Sequence, residues 1–165
     1  GKVKPVRAVL ITRDANGVGK THLACAILRT IINRTPQMNF EHSPYQFWTS
    51  YRIKHRVQMA QRFGSKETIE EVYRHFATMW LLVLDDVGKE KAIGAEGASA
   101  YEMYYTIINE RYEAGLPMVI TSNLGFEPST AGGLCLSDLI GKAGASRLME
   151  MCHRTEYVIA GEDRR

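Results

Sequence analysis

Gly17-Val18-Gly19-Lys20-Thr21 follows a short apolar run, Ala8-Val9-Leu10-Ile11, and opens the stretch His22 to Arg34, where Leu23, Ala24, Ile27 and Ile31 share one helical face. A strand, a glycine-bearing loop and a helix in that order make a phosphate cradle. Glycines let backbone N–H groups curl around phosphate oxygens, which a Cβ would obstruct. The helix beginning near Lys20 aims its positive end at the same anion. Lys20 is expected to bridge the β- and γ-phosphates of ATP, and the Thr21 hydroxyl to ligate Mg²⁺. The expected nucleotide contacts are Asn16, Gly17, Val18, Gly19, Lys20, Thr21 and His22. The plainer reading is a glycine turn before an ordinary helix. Asp14 stands where the strict GxxxxGK[ST] pattern has its first glycine. An inward carboxylate there would repel the γ-phosphate, so it is expected to point outward.

Downstream, Leu81-Leu82-Val83-Leu84 is an uninterrupted apolar run ending in Asp85-Asp86. Such a run fits a central parallel strand covered on both faces. It delivers carboxylates beside the phosphate loop, the Walker B arrangement. Asp85 is expected to hold the magnesium through water, and Asp86 to act as general base. A solvated acidic turn is the alternative, and the loop upstream counts against it. Pro117 to Thr121 is a further strand, and Asn123 follows it as the candidate for holding the attacking water. Its alternative is an Asn-led turn.

Between these motifs lie further elements. Gln46-Phe47-Trp48-Thr49 and Tyr157-Val158-Ile159 read as strands. Tyr51–Phe63, Glu67–Ala77, Leu136–Ile140 and Ser146–Cys152 read as helices. Ala98, Tyr101, Tyr105, Ile108 and Tyr112 mark another helix, with Gly115 as its C-cap. Strands alternating with helices imply an α/β fold with a central parallel sheet, its ligand beyond the carboxyl ends of the strands.

Length and composition agree. The chain has 165 residues, a hydrophobic fraction of 45% and a net charge of +3, which fits one domain with a real core. The mild positive charge permits an anionic partner without demanding one. Cys25, Cys135 and Cys152 form no CxxC pair, which excludes a disulfide framework and a zinc site of ordinary spacing. Cys25 reads as a small core residue, and the usage fits a reducing, cytoplasmic setting. No apolar run approaches the ~18 residues of a membrane span. Gly1-Lys2-Val3-Lys4-Pro5 reads as the start of a domain cut from a longer chain.

Gly17-Val18-Gly19-Lys20-Thr21-His22-Leu23-Ala24 resembles the P-loop of the DnaC/IstB group of AAA+ ATPases. Leu82-Val83-Leu84-Asp85-Asp86-Val87-Gly88 resembles that group's Walker B. Ile107 to Pro117 and Thr121-Ser122-Asn123-Leu124 resemble its sensor-1 region. Ser146-Arg147-Leu148-Met149-Glu150 and Gly161-Glu162-Asp163-Arg164-Arg165 resemble its C-terminal motifs. The resemblance implies a P-loop NTPase (AAA+) three-layer sandwich over residues 1–165, with a minimal or absent C-terminal lid and without the group's N-terminal partner-binding segment. It implies ATP hydrolysis with Asn123 as sensor 1 and Arg147 as an arginine finger acting in a neighbouring copy. Arg165, or Arg164 beside it, would be sensor 2. Arginine suits these tasks through its permanent charge and forked donors. Ala143, with Lys142 adjacent, stands where many relatives carry a further arginine.

The basic stretch Arg52, Lys54, His55, Arg56, Arg62 and Lys66 holds no acidic residue, and Trp48, Tyr51 and Phe63 lie near it. Cations track a phosphate backbone and aromatic faces stack bases. The alternative is a solvated helix face. The resemblance implies single-stranded DNA, with Arg52, Lys54 and Arg56 as contacts. The implied partner is a replicative helicase in a DnaC-type loader, or a transposase in an IstB-like helper. A nucleotide-dependent DNA-binding module with little hydrolysis is the reading from another class, prompted by Asp14 and Ala143.

Overall fold

The computed structural model describes residues 6–12, 19–35, 44–88, 97–128 and 133–159. Their elements are β1 (Ala8–Thr12), α1 (Lys20–Arg34), β2 (Tyr45–Thr49), α2 (Ser50–Ala60), α3 (Ile69–Thr78), β3 (Leu81–Val87), α4 (Gly97–Ala114), β4 (Met118–Ser122), α5 (Leu136–Met151) and β5 (Glu156–Val158). The strands form one five-stranded sheet in the order β2-β3-β4-β1-β5. All its pairings are parallel. The expected α/β sandwich is present, and β4 lies between the strands that lead to the two phosphate-site loops.

Strand alternation decides which helix covers which face. Ile11, Leu81, Val83 and Val119 point to one side and pack against Ala24, Ile27, Leu28 and Ile31 of α1. Leu10, Leu82, Leu84, Met118 and Ile120 point to the other and pack with residues of α2, α3, α4 and α5. Burial of β3 and β4 on both faces explains their continuous apolar runs.

Several sequence expectations shift in detail. In α1, Leu23 is exposed and so is Cys25. One helix covering a sheet buries a narrow stripe, so Ala24 goes inside and its neighbours do not. In α4 the buried side chains include Ala100, Met103, Tyr104, Ile107, Ile108 and Arg111, while Tyr101 is exposed. The two helices expected after Leu136 are present within α5, joined across a non-helical Gly141 (φ 72°, ψ 161°), and the second begins well before Ser146. A Cβ at Gly141 would lie 2.2 Å from the Tyr101 ring, so glycine is required.

Arg111 explains why the end of α4 is so particular in sequence. It is fully buried. Its guanidinium donates to the carbonyls of Phe76 and Met79 at 2.9 Å, of Trp80 at 3.1 Å and of Pro117. One side chain therefore ties the end of α3 to the starts of β3 and β4. Burial pushes its pKa down to about 10, which leaves it charged at neutral pH. α4 then ends as the sequence anticipates. Gly115 is left-handed (φ 69°). Its N–H bonds the Tyr112 carbonyl at 3.2 Å, and the Leu116 N–H bonds that of Arg111 at 3.0 Å, a Schellman motif.

Candidate nucleotide site and nucleic-acid interface

Asp85 shares the α1-facing side of β3 with Leu81 and Val83, and Thr121 shares that side of β4 with Val119. This parity sets both side chains against the first turn of α1. The Thr21 hydroxyl lies 3.1 Å from each oxygen of Asp85. The Thr121 hydroxyl donates to Asp85 Oδ1 at 2.6 Å. Asp85 is buried at 3% exposure and Lys20 at 6%. Gly19 caps α1 in a left-handed conformation (φ 95°), and a Cβ there would meet nothing within 4 Å among the described residues. The N-terminus of α1 thus begins at a glycine with a buried lysine beside it.

Past Asp85 the β3–β4 register slips. Leu84 faces Ile120 but Val87 faces Ser122, so β3 carries one extra residue, a bulge. Asp86 occupies it with φ 58°. A bulged residue loses its ladder partners, and buried backbone groups need replacements. The Asp86 N–H donates to Thr121 Oγ1 at 3.0 Å, and its carbonyl accepts from Ser50 Oγ at 2.7 Å. Ser122 Oγ donates to the Val87 carbonyl at 2.8 Å. Three hydroxyls from β4 and α2 therefore hold the bulge, and Asp86 is turned out to partial exposure. Sequence reading assigned no role to Thr121, Ser122 or Ser50. The signal for Thr121 is its in-phase position two residues before Asn123.

The oxygen donors of Thr21 and Asp85 suit a hard divalent cation that keeps several waters and phosphate oxygens as ligands, as Mg²⁺ does. Among the described residues, no cluster of three or more His, Cys, Asp or Glu offers a metal cage of its own. Asn123 is half-buried just past β4, and His22 is exposed on α1. Asn16, Gly17 and Val18, together with Asp14, Arg164 and Arg165, lie outside the described residues.

Arg147 is not beside these groups. The Leu136 N–H bonds the Gly125 carbonyl beyond the end of β4, and the Met151 carbonyl takes the Arg7 N–H just before β1. Hence α5 runs back along the sheet. Arg147 is one turn from its end, about 6 Å of helix from Met151.

The basic stretch divides into two kinds of residue. Arg52 is exposed and Lys54 half-buried on α2. Arg56 instead turns inward. Its Nε donates to Glu67 Oε2 at 2.9 Å, and its Nη2 pairs with Glu67 Oε1. Its guanidinium carbon sits 5.8 Å from the Trp48 ring centroid and 5.5 Å from that of Phe76. Glu67 lies just beyond the stretch that read as free of acids. Its hydrogen bond from Arg56 holds its carboxyl below the ordinary range. Trp48 is likewise engaged, edge-on to Phe76 at 5.1 Å. Phe63 is the opposite case. It stands wholly in solvent at 109% exposure. The turn beneath it is closed by the Ser65 N–H on the Arg62 carbonyl at 3.1 Å, with Gly64 at φ 80°.

The structure of the DnaC helicase loader superposes with a TM-score of 0.68 at 23% identity, covering 93% of this chain and 78% of that one. DnaI gives 0.60 at 23% identity, covering 99% and 77%. AMPPCP-bound DnaA from Aquifex aeolicus gives 0.58 at 19% identity, covering 88% and 39%. These establish the AAA+ P-loop fold. In sequence, the chromosomal replication initiator protein DnaA of Kosmotoga olearia is 30% identical over 136 residues. That match covers 82% of this chain and only 27% of the relative's length. No helix among the described residues is long and apolar enough to cross a membrane. The sequence model of the IstB-like ATP binding proteins matches residues 6–163, and the chain belongs to that family.

Proposed function

We propose that this chain hydrolyses ATP with Mg²⁺, binds single-stranded DNA and, as a DnaC-type DNA replication protein, loads a replicative helicase. The observation that carries the ATPase reading is the contact of Thr21 with both oxygens of Asp85, beside buried Lys20. Lys20 and the loop amides bind the phosphates. Thr21 and Asp85 are the residues that would hold Mg²⁺, which when bound offsets phosphate charge. Asp86 takes the proton of the attacking water, and Asn123 orients that water. Arg165 is assigned to the same nucleotide as sensor 2. Arg147 serves the nucleotide of a second copy, since within its own subunit it lies toward the opposite end of the sheet. A homo-oligomer is therefore part of the reading.

For DNA, Arg52 and Lys54 neutralise phosphates, and Phe63 with exposed Tyr51 offers faces for bases. Arg56 braces α2 against α3 and supports that surface from beneath. The relatives' names favour this direction, one being a helicase loader and another a replication initiator. The family match favours a second reading, an IstB-like transposition helper with a transposase as partner. ATP turnover measured with and without single-stranded DNA tests the proposal. Stimulation by DNA supports it. Tight ATP and DNA binding without turnover would favour a nucleotide-dependent DNA-binding module. Capture of a purified helicase against a purified transposase separates the two partner readings.

A further inference from the structure

Tyr101, Tyr105 and Tyr112 recur along one side of α4 at helical spacing. In the structure Tyr101 is exposed, and Tyr105 and Tyr112 are half-buried. Arg147 lies over Tyr105 and Tyr112. Its Nη1 donates to the Tyr105 hydroxyl at 3.2 Å. Its guanidinium carbon lies 5.8 Å from the ring centroid of Tyr105 and 5.8 Å from that of Tyr112.

Both rings are themselves held. The Tyr105 ring stacks on Tyr101 at 5.9 Å with planes 10° apart. Tyr101 in turn lies against the Gly141 kink of α5. The Tyr112 hydroxyl donates to Glu150 Oε2 at 2.7 Å, one turn beyond Arg147 on α5. Among the described residues, no carboxylate lies within ion-pair distance of Arg147, and Glu113 acts on it only through space. A carboxylate would neutralise the guanidinium and compete with any phosphate. An aromatic face attracts the cation and leaves its charge and most of its donors available.

We infer that Tyr105 and Tyr112 are positioning residues for Arg147, holding its guanidinium fixed, charged and uncommitted so that a second copy's bound triphosphate can take it. This rests on the trans-acting role given to Arg147 above. A long side chain ordered before assembly loses less freedom when the subunits meet.

Mixed oligomers test the idea. In the reference mixture, Arg147→Ala supplies a working pocket and Lys20→Ala supplies a working finger. Tyr105→Leu with Tyr112→Leu is then added to one partner at a time, with assembly confirmed by sedimentation. In the Lys20→Ala chain, the pair of changes should cut the rescued turnover by about tenfold, the worth of two cation–π faces. In the Arg147→Ala chain they should leave it unchanged. Tyr105→Phe, which keeps the face, should restore turnover to within about threefold. Equal loss in both partners would show general damage to α4 and overturn the inference. No loss in either would overturn it as well. If the reference mixture itself gives no rescue while assembled, the trans role of Arg147 fails, and the inference falls with it at a step that involves no tyrosine.

Discussion

The Thr121 hydroxyl donates to Asp85 at 2.6 Å and accepts the Asp86 N–H at 3.0 Å. One buried side chain thus fixes the carboxylate proposed to hold Mg²⁺ and the backbone of the proposed general base. Thr121→Val keeps the shape and removes both bonds. It leaves a buried N–H unpaired, so stability should fall by about 1–3 kcal/mol. ATP turnover should fall more than ATP affinity in the absence of Mg²⁺, and Thr121→Ser should recover both. Urea melts together with nucleotide titrations in Mg²⁺ and in EDTA check this. Equal loss of affinity in the two titrations would reduce Thr121 to a packing residue.

Asp86 lends itself to a clean test because of its backbone. Its φ of 58° is a conformation that asparagine tolerates well. Asp86→Asn should therefore fold normally, bind ATP nearly as before and hydrolyse it ~10²–10⁴-fold more slowly. Turnover of purified mutant against wild type, with a melting curve beside it, is the measurement. Full turnover would remove Asp86 from the chemistry.

Particular residues show what the sequence could carry. The apolar runs of β1, β3 and β4, the glycine loop and the Gly115 cap were all legible, because local pattern dictates them. The pairing of Thr21 with Asp85 was legible as a motif. The bulge at Asp86 was not, since it depends on a register slip between strands distant in sequence. The tyrosines of α4 marked the helix but not its surroundings, for a related reason. Helical spacing reports which residues share a face, but not whether that face meets the sheet or an arginine from α5. Arg56 read as a free cation because its acid, Glu67, lies across the turn between two helices.

Arg111 should dominate stability in the way Lys20 is proposed to dominate nucleotide binding. Its donors serve four carbonyls that nothing else in its place could reach. Arg111→Met fills part of the volume but orphans those acceptors. A loss of about 3–5 kcal/mol is expected, the range for breaking a buried charged network. Arg111→Lys should recover little, because an ammonium cannot reproduce the planar fork. Denaturant midpoints for both variants decide it. A loss under about 1 kcal/mol would mean that water replaces the guanidinium, which its burial argues against.

Arg52 and Lys54 should behave differently from the braced Arg56. If Arg52 and Lys54 meet DNA phosphates, replacing both with alanine should lower the slope of log affinity against log salt by about 1.4, the single-strand value for two contacts. Melting should not change, since Arg52 is exposed and neither side chain forms an ion pair among the described residues. Phe63→Ala should weaken binding by about 1–3 kcal/mol at every salt concentration and leave the slope alone, because stacking releases no counterions. Arg56→Ala should do something different. It removes the pair with Glu67 and the contacts with Trp48 and Phe76, so it should lower stability first. That loss has a pH signature. Glu67 titrates below its ordinary value of 4.5 when folded. The pair therefore contributes stability at neutral pH, and the contribution disappears as acid protonates Glu67 below that value. The stability gap between wild type and Arg56→Ala should narrow on acidification through this range, leaving the part owed to Trp48 and Phe76. A narrowing gap, together with an unchanged salt slope in Arg56→Ala measured where it remains folded, would make Arg56 a brace. A slope reduced by about 0.7 under those conditions would make it a phosphate contact after all.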